Sequence, residues 1–190
     1  MNCEIAICDD IVPRSLAMSI HELLCGPIWK FGHQSNGMND RFSFWSTRFA
    51  GGDGSSRTSC ETELRESARN APIARLWDVI SSEILRGHEP LRVYANAHTY
   101  GSEGYVHVDN ADRDNYFSTI YYAHPVWMPN WAGDLVFFDA DKSDSIASVF
   151  PKPGRVVTFP GCIPHAARAT SRDCSDLRLS VVMKSQVKRG

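Results

Sequence analysis

The chain has 190 residues, 43% of them hydrophobic and 22% charged, with a formal net charge of −2. That length suits one domain with a sizeable core, and the charge balance offers no basic footprint for nucleic acid or a membrane surface. No apolar run approaches the ~20 residues of a membrane span. The start Met1-Asn2-Cys3-Glu4 lacks the basic opening and apolar run of a signal peptide. Six cysteines (Cys3, Cys8, Cys25, Cys60, Cys162 and Cys174) show no CxxC spacing. They read as reduced thiols of a cytoplasmic protein rather than zinc ligands or a disulfide frame.

Glu4 to Cys8 alternates Ile5 and Ile7 as a short first strand. A helix is predicted from Arg14 to Cys25, with Leu16, Ile20, Leu23 and Leu24 at helical spacing and Gly26-Pro27 as its stop. Trp29 to Asp40, rich in Gly, Asn and Ser, is expected to be loop, and Phe42, Phe44 and Phe49 suggest a strand. Gly51-Gly52-Asp53-Gly54-Ser55-Ser56 reads as a surface loop, with a lid as the alternative; neither phosphate-binding glycine fingerprint is present. Glu61 to Arg86 is helical, a short helix and then a longer one beginning at Pro72, with Ile73, Leu76, Trp77, Ile80 and Ile84 on the packing face.

After Pro90 the character changes. Leu91 to Asn96, Gly104 to Asp109, Ser118 to Ala123, Asp134 to Phe138, Arg155 to Phe159 and Leu177 to Lys184 all read as strands. Helices first and many short strands later predict a mainly β, α+β protein: a sandwich or barrel braced by N-terminal helices.

The chemistry concentrates in this second half. His107-Val108-Asp109 on an extended segment puts two ligand side chains on one side, because side chains alternate with period 2. One more imidazole completes two nitrogens and one carboxylate, a facial set that suits Fe(II) and leaves three positions open. Alone, His-x-Asp is weak. In order, however, come Gly104-Tyr105-Val106-His107-Val108-Asp109, Ser118-Thr119-Ile120-Tyr121-Tyr122, Ala132-Gly133-Asp134-Leu135, Pro151 to Phe159, Ile163-Pro164-His165 and Arg178-Leu179-Ser180. This succession resembles the 2-oxoglutarate- and Fe(II)-dependent dioxygenases, in particular their prolyl-hydroxylase-like branch. The match spans Leu91 to Ser185; residues 1–90 fit only in their plan of strand and support helices.

The resemblance implies a double-stranded β-helix, or jelly roll, with 91–185 as its core within one domain of residues 1–190. It implies His107, Asp109 and His165 as iron ligands and Arg178 as the two-point partner of the distal carboxylate of 2-oxoglutarate. Tyr122 matches the tyrosine that assists the same carboxylate, and Ser180 the serine of an Arg-x-Ser pair. Alternation agrees, with Arg178, Ser180 and Val182 sharing one strand face, and Ser118, Ile120 and Tyr122 another. Arg168 and Arg172 are rivals for the carboxylate, since thirteen residues separate His165 from Arg178. The implied cofactors are Fe(II) and 2-oxoglutarate, with ascorbate as a stimulant; dioxygen and an organic substrate are the partners. Because Asp109 is kept where related halogenases have Gly or Ala, hydroxylation, desaturation or ring formation is expected.

Other residues carry blander readings. His33, His88 and His98 are expected to be structural, with His98 also able to face substrate, and His124 to sit at an exposed strand end. Trp127 and Trp131 are read as packing residues, with Trp127 a candidate to border the substrate. Asn96, on a strand leading toward the metal, is a candidate for substrate or 2-oxoglutarate contact. Lys184, Lys188 and Arg189 are read as a basic tail. The leading function is oxidation of an unactivated C–H bond in a small molecule such as an amino acid or biosynthetic intermediate, releasing succinate and CO2. The alternatives are a prolyl-type protein hydroxylase and, from another class, a cupin-like metal module without oxygenase activity.

Overall fold

The computed structural model describes residues 4–35, 37, 40–52 and 58–188. Cys3 and Arg189 lie outside them, as does most of the glycine loop predicted at 51–56. Ten strands form in chain order: β1 (Ala6–Cys8), β2 (Lys30–His33), β3 (Phe44–Gly51), β4 (His88–His98), β5 (Tyr116–Tyr122), β6 (Leu135–Phe138), β7 (Ser145–Val149), β8 (Val156–Pro160), β9 (His165–Ala167) and β10 (Arg178–Val187). Three α-helices, α1 (Arg14–Leu24), α2 (Cys60–Glu66) and α3 (Ala71–Glu83), lie in the N-terminal half.

The strands make two antiparallel sheets. The larger runs β1-β8-β5-β10-β4-β3-β2 and the smaller β7-β6-β9. This two-sheet arrangement is that of the expected jelly roll. Strand alternation sorts the apolar residues into two cores. Tyr121, Leu179, Val181, Met183, Val93 and Ala95 face the helices, where Leu16, Ile20, Leu24, Ile73, Trp77 and Ile80 meet them. Tyr94, Ile120, Tyr122 and Val182 face the other way, against Leu135, Phe137, Val157 and Phe159. The polar residues of that second face become the site.

The helices follow their sequence cues. Leu16, Ile20 and Leu24, four apart, give α1 one buried stripe. Ser59 caps α2 by accepting the Thr62 N–H at 3.2 Å. A 3-10 turn at Ala68–Asn70 leads into α3, with Pro72 in its first turn.

Two expectations are corrected. Lys30–His33 within the predicted loop is a strand; it is an edge strand, exposed along most of its length and bulged at Gly32, so it carries no hydrophobic signature. Gly104 to Asp109 forms no continuous strand and pairs only at the isolated bridge His107–His165. The flanking donors go elsewhere, the Asp109 N–H to the Gly161 carbonyl at 2.8 Å and the Tyr105 N–H to the Asp40 side chain at 3.0 Å. Finally, β7 and β9 give no usable signal, one being largely exposed and the other three residues long.

Candidate metal centre and cofactor pocket

His107 and His165 face each other across that bridge, exchanging backbone N–H···O bonds of 3.1 and 2.9 Å. The Asp109 N–H is fixed on the Gly161 carbonyl at 2.8 Å. The three side chains converge, with ligand atoms within 4.8 Å of one another. Nε2 of His107 lies 3.6 Å from Asp109 Oδ1, and Nε2 of His165 lies 3.4 Å from Asp109 Oδ2.

The rings are held for this purpose. Nδ1 of His107 donates to the Tyr105 carbonyl at 2.7 Å, and Nδ1 of His165 to that of Ile163 at 2.8 Å. Each neutral imidazole thus carries its proton on Nδ1 and turns the Nε2 lone pair inward, the tautomer a metal requires. Burial lowers His165 to about 4, against the pull of Asp109, so its ring is neutral at physiological pH. Burial also acts on His107, but its contacts with Asp109 and the Tyr105 carbonyl prevail and raise it. Asp109, although buried, is held well below its usual range by the Lys184 charge and by His107.

Lys184 is the residue the sequence reading misplaced. It belongs to no tail: it is 7% exposed, on the inward face of β10, with Nζ bonded to Asp109 Oδ2 and 3.1 Å from Ser118 Oγ. Ser118 donates to the same Asp109 oxygen at 2.6 Å. The signal was available, because Lys184 continues the alternation of Arg178, Ser180 and Val182.

One cavity joins the triad to the carboxylate-binding candidates. It is lined by His107 and His165, by Tyr94, Asn96 and His98 of β4, and by Arg178, Ser180 and Lys184 of β10. Arg178 is 1% exposed, donates from Nε to the Gly133 carbonyl at 2.6 Å, and has Nη2 3.4 Å from the Tyr122 hydroxyl. A larger groove of about 880 Å³ lies behind the sheet, between α1 and Tyr121, but the histidine–carboxylate triad is not in it.

Residues 94–183 match the family model of the 2OG-Fe(II) oxygenase superfamily. Over those residues the chain is similar to that superfamily. It is accordingly a non-haem iron dioxygenase with Fe(II) and 2-oxoglutarate as cofactors. Solved structures agree in fold. A 2OG-Fe(II) oxygenase-family oxidoreductase from Burkholderia pseudomallei matches at a TM-score of 0.75 and 14% identity, over 100% of this chain and 88% of that one. A Trichoplax adhaerens prolyl hydroxylase in complex with a hypoxia-inducible-factor degradation-domain peptide gives 0.70 and 13%, over 98% and 84%. HygX from Streptomyces hygroscopicus, with nickel and 2-oxoglutarate bound, gives 0.62 and 12%, over 96% and 82%. No curated protein sequence matches the chain.

The oxygenase's own residues fit both groups. Two imidazoles and one carboxylate are a donor set for Fe(II). Buried polar atoms around the cavity await a ligand: Asn96 Oδ1 and both ring nitrogens of His98 have no hydrogen-bond partner. Burial, with Arg178 and His33 nearby, holds His98 well below its usual range and therefore neutral.

The rival arginines stand apart. Arg168 lies over the Phe138 ring with Glu103 at 3.9 Å, and Arg172 is exposed. Trp127 does not line the cavity; it stacks on His124 at 4.2 Å and donates to the Ala132 carbonyl at 2.8 Å, buttressing the turn that meets Arg178. His124 is 3% exposed, not at an open strand end, with Nε2 donating to the Pro151 carbonyl at 2.7 Å. Among the described residues, no helix is long and apolar enough to cross a membrane.

Proposed function

We propose that His107, Asp109 and His165 hold Fe(II) through Nε2, a carboxylate oxygen and Nε2, and that Arg178 with Tyr122 receives the distal carboxylate of 2-oxoglutarate. The substrate is a small molecule oxidised at an unactivated C–H bond, with succinate and CO2 released. The observation that carries the reading is the shared cavity. The two inward-facing imidazoles and the buried Arg178 line one space, so a metal and a dicarboxylate meet there.

The bound metal and oxoacid supply the oxidative chemistry, and the protein orients them and protects itself from the oxidant. The Tyr105 and Ile163 carbonyls fix both histidine tautomers. Lys184 and Ser118 hold Oδ2 of Asp109, the oxygen beside His165. Arg178, held by Gly133 and carrying its guanidinium 5.1 Å from the centre of the Tyr122 ring, is preorganised for a two-point ion pair. Ser180, 2% exposed on the same face, completes that wall.

A second reading, prolyl-type protein hydroxylation, is favoured by the likeness to the peptide-bound prolyl hydroxylase. Succinate release with free amino acids and with proline-containing peptides separates the two. The first test is anaerobic titration of the Fe(II)-loaded protein with 2-oxoglutarate. A weak visible charge-transfer band that disappears in His107→Ala and weakens in Arg178→Ala is the expected result. Iron binding without the band would overturn the cofactor assignment.

A further inference from the structure

Among the described residues, Arg92 is a cation near the metal centre with no ion pair. Arg92 on β4 is the cross-strand partner of Lys184 on β10, and Lys184 reaches Asp109. Arg92 is therefore one strand away from the triad, on the inward face. Its guanidinium carbon lies 4.4 Å from the centre of the Tyr94 ring, and Tyr94 lines the cavity. From the other side the stem is confined by Gly52, whose φ is +75°. A Cβ at that glycine would stand 2.8 Å from Arg92 Cδ and 3.0 Å from Nε, so the missing side chain is what lets the arginine lie there.

Arg92 fits neither ordinary role for an arginine. A solvated surface arginine keeps Nε wet, yet here Nε is buried with no hydrogen-bond partner, although the residue as a whole is partly exposed. A structural arginine meets a carboxylate, yet Arg92 makes no ion pair among the described residues. Among the described residues, Asp109 is engaged by Lys184 and Ser118, and Asp40 by the Tyr105 N–H. A buried N–H left without an acceptor calls for one, and the Tyr94 ring covers only the face of the guanidinium.

We infer that Arg92, seated between Gly52 and Tyr94, is the receptor for a carboxylate on the substrate, so that the substrate is a small carboxylic acid. The inference rests on the oxygenase reading above and names the substrate class for the same site. Stacking on Tyr94 occupies the guanidinium face and leaves its edge, the paired N–H fork, free for a planar carboxylate. The two acids are kept apart by the strand pair. Arg178 pairs with His98, and Lys184 with Arg92, six residues along. At a rise of ~3.3 Å per residue these positions lie roughly 20 Å apart.

The test uses the full-length protein with 15N-labelled arginine, loaded with diamagnetic Zn(II) and saturated with 2-oxoglutarate. The Arg92 and Arg178 Nε–H resonances are identified by their loss in Arg92→Gln and Arg178→Lys. Acetate is the probe and acetamide its neutral counterpart. A saturable shift of the Arg92 resonance with acetate, and none with acetamide, is expected. An Arg92 resonance that ignores acetate, or follows both probes equally, overturns the proposal. The Arg178 resonance reports on the reading beneath it. If 2-oxoglutarate leaves Arg178 unmoved while acetate shifts Arg92, the anion site stands and the cofactor assignment falls.

Discussion

Nζ of Lys184 and Oγ of Ser118 converge on a single oxygen of Asp109, leaving the carboxylate's other oxygen beside Nε2 of His107. A buried lysine thus sets the rotation and charge of the triad's only acid. Lys184→Met should weaken Ni(II) or Fe(II) binding by about ten- to a hundredfold, as loss of an outer-shell partner does. Lys184→Arg, which keeps the charge, should recover part of it. Calorimetric metal titration is the check, and unchanged affinity in Lys184→Met would remove the lysine from the site's design.

Gly133 sits at φ +83°, and a Cβ there would meet Arg178 Cδ at 3.0 Å and Trp127 Cζ2 at 3.2 Å. Gly133→Ala should therefore strain the turn by about 1 kcal/mol and displace the guanidinium. The expected readout is roughly tenfold weaker 2-oxoglutarate binding, corresponding to the 1.4 kcal/mol that a tenfold change represents. Metal affinity should not move. Anaerobic titration separates the two effects.

Asp9 ties β1 to the turn before β8, accepting from Arg155 at 2.8 and 3.0 Å and from Lys152 at 2.9 Å. The Arg155 hydrogen bond, opposed by burial and aided by Lys152, holds its carboxyl well below the usual range. A lowered folded-state value means that the stabilisation is present above the unfolded-state value of ~3.9 and is lost as pH falls toward the folded one. Asp9→Asn should cost on the order of 1 kcal/mol near neutrality. Thermal melts of both proteins should differ at pH 7 and draw together below pH ~4. A gap that persists into acid would show that the pair is not its source.

Ile80 is fully buried where α3 meets the large sheet, away from the cavity. Ile80→Ala should lower stability by about 2–5 kcal/mol through lost burial and a residual cavity. Denaturant unfolding measures that loss, while 2-oxoglutarate affinity in the folded variant should be unchanged. An affinity loss would mean that the helical layer sets cavity geometry as well as stability.

Much of this was legible beforehand because it depends on local periodicity. The spacing of Leu16, Ile20 and Leu24 marks α1, and the alternation of Ser118, Ile120 and Tyr122 tells which side of β5 faces inward. The order of His107, Asp109, His165 and Arg178 carried the family resemblance. What failed was decided by partners far along the chain. The extended segment at Gly104 to Asp109 forms no ladder because Gly161 takes the Asp109 N–H and Asp40 takes the Tyr105 N–H. Lys184 looked like the start of a basic tail because its counter-ion, Asp109, lies 75 residues earlier. Alternation puts Arg92 on the same strand face as Asn96, but nothing local marks it as unpaired.

By itself, then, the sequence determined the donor types, their order along the chain and the face each strand turns inward, since these follow from chemistry and a two-residue period. Only the tertiary structure decided which nitrogen of each histidine points into the candidate metal site and which cation holds Asp109. It also decided which arginine is buried with Tyr122 and which stacks on Tyr94 with no acid partner among the described residues. Those outcomes depend on hydrogen-bond partners and charges brought together from distant strands, and no local pattern encodes them.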